Sequence, residues 1–442
     1  EIGDAQIVGR SGHGRQWISG LYEYEVDHEV LGVGGLSDDA IDSLLTNPVR
    51  VGFGESSEHD VHGIVRELEM LSMRTAGQAL YRLRIVPKLF FLTLTRRNRV
   101  WQDMSYLDIV KAVLDEHGLA AGSHVDDACN GSYDAVEYTV QHEETDYAFI
   151  SRLMEHYGIH FHFQMRPEGE LLVLGDDNAA FEPVSDHETL HYAPTSASGD
   201  DTRSVTSLRR FRRIRPATVQ VRDYNWRTPT TPLRCEHAVD EATGHGLIDL
   251  FGDHFADAGE GGEVARIRAE QMMVTHDTFV METGSRFLFP GARFELTGHP
   301  NPDLDQEYVV TGIAQGLGKD GEGRFVKTIE AIPARVPFRP QRRAPWPRID
   351  GLINAKVDGE ARSTAGAALG GQRLRHAPAA AHRDGVRDRV RQRRPGSPGD
   401  RRRGAERRDG EPGDRPERDA QPHRHRQRRD DRARRQIGRA HV

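Results

Sequence analysis

Cysteine occurs only twice in 442 residues, as Cys129 and Cys235, far apart and in no CxxC or Cys/His pattern. That excludes a disulfide scaffold and a cysteine-built zinc finger. The two are read as free thiols of a reducing compartment, with a single disulfide as the alternative. Long apolar runs are missing too. The most apolar stretch, Leu89 to Leu94, falls far short of the roughly 18 residues that a membrane-spanning helix needs. No basic, then apolar, then small-residue leader is present, and the chain opens on Glu1 rather than Met, so upstream sequence is expected to be missing. Lysine is scarce, 5 against 55 arginines; most arginine codons begin CG, which points to a GC-rich genome. The last 70 residues lack Phe, Tyr, Trp and Lys altogether, and such a segment cannot bury enough apolar surface to offset its ordering entropy.

What is present divides near Gln372. Up to that residue there are 37 basic and 57 acidic side chains, net -20; beyond it there are 23 and 11, net +12, and every basic one is Arg. The chain therefore reads as an acidic body of roughly 370 residues that can fold and an Arg-rich tail, 369–442, that is expected to be disordered.

The body begins as β structure. Leu21 to Val26 and Val49 to Phe53 alternate apolar with polar residues, and Tyr81 to Leu94 reads as two strands around Pro87. Ser105 is placed to cap a helix carrying Leu107, Ile109, Val110, Val113 and Leu114, stopped by Gly118. Thr145 caps a second, with Phe149, Ile150, Leu153, Met154 and Tyr157 on one stripe and Gly158 at its end. A hairpin follows, Ile159 to Phe163 and Leu171 to Leu174 around a Pro167/Gly169 turn. Further strands are expected at Thr218 to Val221, Arg286 to Phe289, Arg293 to Thr297, Tyr308 to Ile313 and Phe325 to Ile332, with a helix over Gly262 to Thr275. Residues 336–347, with Pro337, Pro340, Pro345 and Pro347, read as a Pro-rich linker.

Several segments resemble VgrG, the spike protein family of type VI secretion systems, and its phage-tail relatives. They are RVWQDMS at 99–105, LDEHGL at 114–119, YTVQHEETDYAFISRLME at 138–155 running into Tyr157 to Ile159, FELTGHP at 294–300 and EYVVT at 307–311. The resemblance implies a β-rich α+β fold: a phage-tail hub-like pair of β-barrel domains with docked helices over 1–335, the linker at 336–347, the start of an OB-type spike barrel at 348–368, then the tail. It also implies a homotrimer that caps a hexameric inner-tube protein and meets baseplate proteins. A tip-sharpening protein and effectors join the full-length form, and only a missing needle touches the target membrane. A type VI hub is the first reading, a contractile phage baseplate hub the second, and a carrier of a missing C-terminal hydrolase domain the third. The hub itself is read as non-enzymatic, assembled in the bacterial cytoplasm and then exported.

The tail has a reading in another frame. With CGN codons for Arg and a one-base shift, Gln392 to Glu406 permit NGDPDRPVIAGAVPN at all fifteen positions, a string that resembles the spike-barrel signature. A frameshift between about Thr364 and Arg383 is therefore expected. Ile437 to Val442 match a translated sequencing-adapter fragment. The competing reading is an Arg-rich arm that binds nucleic acid through phosphates; the first reading gives the chain no nucleic-acid partner.

Candidate sites are few. His156, His160 and His162 have a spacing that suits a transition metal. Against that stand an exposed strand face, a helix-terminal His favoured by the helix dipole, and the aromatic or acidic residues that the family carries there. No metal and no cofactor are expected. Gly32, Gly34 and Gly35 lack the strand and helix that frame a phosphate loop, and Ser11 to Gly14 lack a nucleophile elbow. The acid pairs Asp126/Asp127, Glu143/Glu144 and Asp176/Asp177 read as solvated surface. The run Arg209, Arg210, Arg212, Arg213 and Arg215, interleaved with Phe211 and Ile214, reads as a charged strand face or an inter-subunit contact.

Overall fold

The structure is a computed structural model that describes residues 6–31, 35–52, 60–73, 78–184, 189–194, 203–225, 227–317 and 325–347, with short strand pieces at 356–357, 362–364 and 377–378. In chain order the elements begin with β1 (Gln6–Trp17), β2 (Glu23–Leu31), α1 (Asp38–Thr46), β3 (Pro48–Val51), β4 (Val61–Met73) and β5 (Gln78–Val86). Then come β6 (Arg96–Met104), α2 (Tyr106–Glu116), β7 (Val125–Asp127), β8 (Val136–Thr145), α3 (Asp146–Tyr157), β9 (His160–Arg166) and β10 (Gly169–Gly175). The second half holds β11 (Thr189–Tyr192), β12 (Ser204–Arg212), β13 (Thr218–Asp223), β14 (Leu233–Ala238), β15 (Leu247–Phe251), α4 (Ala258–Met273), β16 (Asp277–Thr283), β17 (Arg293–Thr297), β18 (Glu307–Leu317) and β19 (Phe325–Pro333).

Six strands close a ring in the order β17, β11, β12, β16, β19, β18 and back to β17, parallel on both sides of β11 and antiparallel elsewhere. Closure leaves the ring no free edge, and Leu190, Val205, Phe279, Met281, Phe294, Tyr308, Val310 and Ile329 fill it. β18 belongs to two sheets. Glu307, Tyr308 and Val309 pair with β17, whereas Gly312 to Leu317 pair with β1, from which β2, β5, β4 and β3 continue a first sheet.

The capped helices form as their sequences direct. Ser105 Oγ accepts the Asp108 amide and Thr145 Oγ1 the Ala148 amide, while Gly158 ends α3 at φ 69°, where a side chain is strained. Their apolar stripes, with Phe149, Ile150 and Leu153 fully buried, pack with Phe161, Leu172 and Leu174 of the hairpin into one core. A separate three-stranded sheet, β14–β13–β15, buries Val221 and Leu233 against Phe255 and against Val264 and Ala265 of α4.

Two expected strands are absent. Lys88–Thr93 is a 3-10 helix, because Leu89 and Leu92, three residues apart, both turn inward and Thr93 donates to the Phe90 carbonyl. A continuous apolar run does not say which period it follows. Residues 286–289 form no strand because the buried Lys327 ammonium donates to the carbonyls of Arg286 and Leu288, at 2.9 Å each. Of the expected spike-barrel start, only Lys356–Val357 and Arg362–Thr364, an antiparallel pair, are described. Gly32, Gly34 and almost all of the Arg-rich tail lie outside the described residues.

Burial lowers the Lys327 pKa from 10.5 to about 7, with Arg286 adding to the effect. Between those values the unfolded chain binds the proton and the folded chain does not, so stability rises with pH from about 7 toward 10.5. Urea unfolding at pH 7 and pH 9 is expected to show this rise, and Lys327→Met to flatten it.

Candidate functional site

The segment read as a linker is a strap bound to the body. The amide of Asn178, in a 3-10 turn after β10, donates to the carbonyls of Ala334 (2.8 Å) and Val336 (2.7 Å) and accepts the Phe338 amide (2.8 Å). Arg339, 7% exposed, reaches Glu270 of α4 (2.6 Å), the Gly158 carbonyl at the end of α3 (3.2 Å) and the carbonyl of Asp176. Gln271 donates to the carbonyls of Glu155 and Pro340 with one amide nitrogen. Glu155 accepts the Arg343 and Ala344 amides; burial raises its pKa. The prolines donate no N–H and so leave no amide to satisfy.

Beneath the strap lies a buried ionic cluster. Arg268 of α4 pairs with Asp253 (3.1 Å), both at most 3% exposed, and donates to the His156 carbonyl and to His156 Nδ1, each at 3.0 Å. Arg342 of the strap takes the other oxygen of Asp253 (2.6 Å). Arg152 of α3 forks onto Glu144 and stacks between Phe149 (5.0 Å) and Trp346 (4.6 Å). Trp346 also packs on His254 and on the edge of His156. Near the end of the described strap, the Trp346 indole is thus held by an arginine and two histidines. Asn178→Ala removes three of the strap's bonds, each contributing about 1 kcal/mol. Hydrogen exchange is expected to show the Phe338 amide losing about 2–3 kcal/mol of protection while β16 and β19 keep theirs.

The three histidines do not converge. His156 lies among Arg268, Arg342 and Arg152, and burial first, then these cations, hold its pKa well below the usual value. His160 and His162 share one face of β9, ring centroids 6.4 Å apart. The expectation of an exposed strand face fails there, because both are fully buried. His160 stacks on Phe181 at 4.5 Å and meets Phe338 of the strap, and the His162 ring lies so close to Gly291, at φ 96°, that it leaves no room there for a Cβ. Burial lowers the two pKa values to about 4 and about 3. Among the described residues no group of three or more His, Cys, Asp or Glu is placed to hold a metal.

The acid pairs divide their members among separate structural bonds. Asp127 meets Lys111 (3.0 Å), and Glu144 meets Arg152. Asp176 accepts the Asn130 and Gly131 amides and the Tyr133 hydroxyl, which outweigh its burial and lower its pKa. Asp177 caps the turn that carries Asn178. Ser11 donates to Asp27 and His13 lies 3.5 Å from Glu25, so they form no nucleophile pair. Both cysteines are free. An open pocket of about 390 Å³ beside the strap, bordered by Trp17, Tyr147, Met154, Glu155 and Phe161, brings no set of catalytic groups together.

The pattern of the phage tail baseplate hub family (GPD) matches residues 15–319, more than half of the chain. The chain belongs to this hub family. Its curated relatives include the type VI secretion system spike proteins VgrG1c and VgrG1b of Pseudomonas aeruginosa, each 28% identical over 360 residues and 78% of the chain, so the resemblance to VgrG holds. The hub chain spans about half the length of these relatives, 48% and 47%. Among solved structures, a type VI secretion component of E. coli has the same fold, with a TM-score of 0.63 at 19% identity over 82% of this chain and 86% of that one. A tail protein of Neisseria meningitidis follows at 0.51 and 12% identity, over 73% and 91%. The ring of six strands, the first sheet and the docked helices thus form a phage-tail hub fold.

Proposed function

We propose that the chain is the structural hub of a type VI secretion spike: three copies form a ring on the end of a hexameric inner tube, and the strap leads from each copy into the spike. The observation that carries this reading is the hub-family match over residues 15–319, joined to relatives that are themselves named spike proteins. Its work is mechanical, and it needs large packed subunit interfaces rather than a reactive group. It assembles in the cytoplasm with baseplate proteins and is exported with the spike, which in full-length form carries a tip protein and effectors.

A baseplate hub of a contractile phage tail is the second reading, favoured by the family's own name and by the Neisseria tail protein. An enzymatic cargo belongs to sequence beyond the hub: the Vibrio cholerae relative named actin cross-linking toxin VgrG1 is matched over 34% of its length. Sedimentation velocity of the full chain tests the ring. A species of about three times 49.6 kDa is expected, and a monomer at tens of micromolar overturns the trimer.

A further inference from the structure

The outer face of β12 carries a basic, aromatic patch that no acid of the described residues neutralises. Strand alternation puts Arg209, Phe211 and Arg213 on one side, and the two guanidinium groups lie over the Phe211 ring at 5.9 and 5.4 Å. Phe211 is 38% exposed and Ile214 beyond it 78%. Arg210, on the opposite face, is taken by Asp277 at 2.6 Å. Among the described residues no acid lies within ion-pair distance of Arg209 or Arg213; Val280 of β16 faces Arg209, and Arg213 donates to uncharged groups, the Thr278 hydroxyl at 2.8 Å and the Thr275 carbonyl at 3.3 Å.

Topology gives the patch a direction. In the six-strand ring β12 is three strands from β18 by either route, so it stands opposite the strand that joins the ring to the first sheet. At the far end of that sheet lie β3 and β4, with α1 packed on β4. There Asp38, Asp39 and Glu69 are exposed beside Met70 and Met73, each 54% exposed. The strand across the ring from β18 thus presents Arg and Phe, and the far end of the first sheet presents acids and two methionines. Arg, Phe and Met are the side chains enriched at the centres of protein interfaces.

We propose that the β12 patch docks the α1/β4 end of a second copy of this chain, head to tail. The proposal rests on the trimeric reading and assigns its contact. A body of net charge -20 presents acid to its neighbours, so a pair of arginines with no acid beside them among the described residues suits another copy. The same charge repels a phosphate backbone within a Debye length of about 8 to 10 Å. A heterologous contact between opposite ends propagates in one sense and closes into a ring when the rotation allows.

The test compares full-length wild type with Arg209→Glu/Arg213→Glu, Asp38→Arg/Asp39→Arg and the fourfold combination by sedimentation velocity, with far-ultraviolet circular dichroism to confirm folding. Phe211→Ala provides a milder variant without a charge change. Each double reversal is expected to raise the dissociation constant of the assembly at least tenfold, Phe211→Ala to raise it less, and the fourfold combination to restore assembly. A wild-type monomer overturns both the contact and the trimeric reading. A trimer insensitive to the reversals overturns the contact alone, as does loss of assembly without restoration in the fourfold variant. Anisotropy with a 20-nucleotide single-stranded RNA covers the other partner class: binding abolished by the Arg reversals, with assembly intact, overturns the proposal in favour of a nucleic-acid surface.

Discussion

Replacing Arg268 with Met is expected to lower the unfolding free energy by about 3–5 kcal/mol, the cost of breaking a buried ion pair from one side. The substitution leaves Asp253, 3% exposed, with only Arg342, and leaves the His156 carbonyl and Nδ1 without the donor they share. Neither acceptor can turn to water. Asp253→Asn in the same background is expected to recover part of the loss, because it removes the buried negative charge while Arg342, one-third exposed, reaches solvent. Thermal melts of the two variants check this. The single variant is expected to melt roughly 5–10 °C lower and the double variant to lie between it and wild type. A single variant within 1 °C of wild type contradicts the assigned role.

Truncating Phe279 to Ala is expected to cost about 3–5 kcal/mol as well, for a different reason. Its ring fills the centre of the closed barrel, fully buried, edge-on to Tyr308 at 4.9 Å with the Arg210 guanidinium 5.5 Å from its face. A large-to-small change in a core costs the lost transfer energy plus a cavity term set by how far the site collapses. A ring hydrogen-bonded on every side collapses little. Phe279→Leu retains most of the volume and is expected to cost less than half as much. Chemical denaturation of both reads the difference; equal losses for Leu and Ala place the effect in the aromatic contact rather than in the cavity.

Local signals carried much of the fold. The caps Ser105 and Thr145 and the stop Gly158 mark α2 and α3 to within a residue, because capping is chemistry between near neighbours. Signals that depend on the opposite side of the molecule did not. Prolines at 337, 340, 345 and 347 mark a stiff segment, yet whether it is free or bound depends on Asn178, Glu155 and Glu270, which are distant in sequence. Arg152 and Arg268 sit in helices where a charged residue ordinarily marks the wet face, and both are buried because Glu144 and Asp253 arrive from other elements. His160 and His162 alternate with Phe161 and Phe163 as a half-exposed strand does. The barrel turn at Gly291 and the strap's Phe338 cover that face, so the alternation no longer reports exposure.

The sharing of β18 between two sheets has a consequence for synthesis. β1 pairs with β2 on one side, but its partner on the other side spans Gly312 to Leu317 and is synthesised some three hundred residues later. Until that partner emerges, Gly12 to Trp17 expose one unpaired edge of the first sheet, the kind of edge on which growing chains stick to one another. Pairing at such sequence separation is slow. A nascent chain that stops before residue 317 therefore ends as a sheet with an open edge, and chaperone demand is expected to peak while β18 is still inside the ribosome.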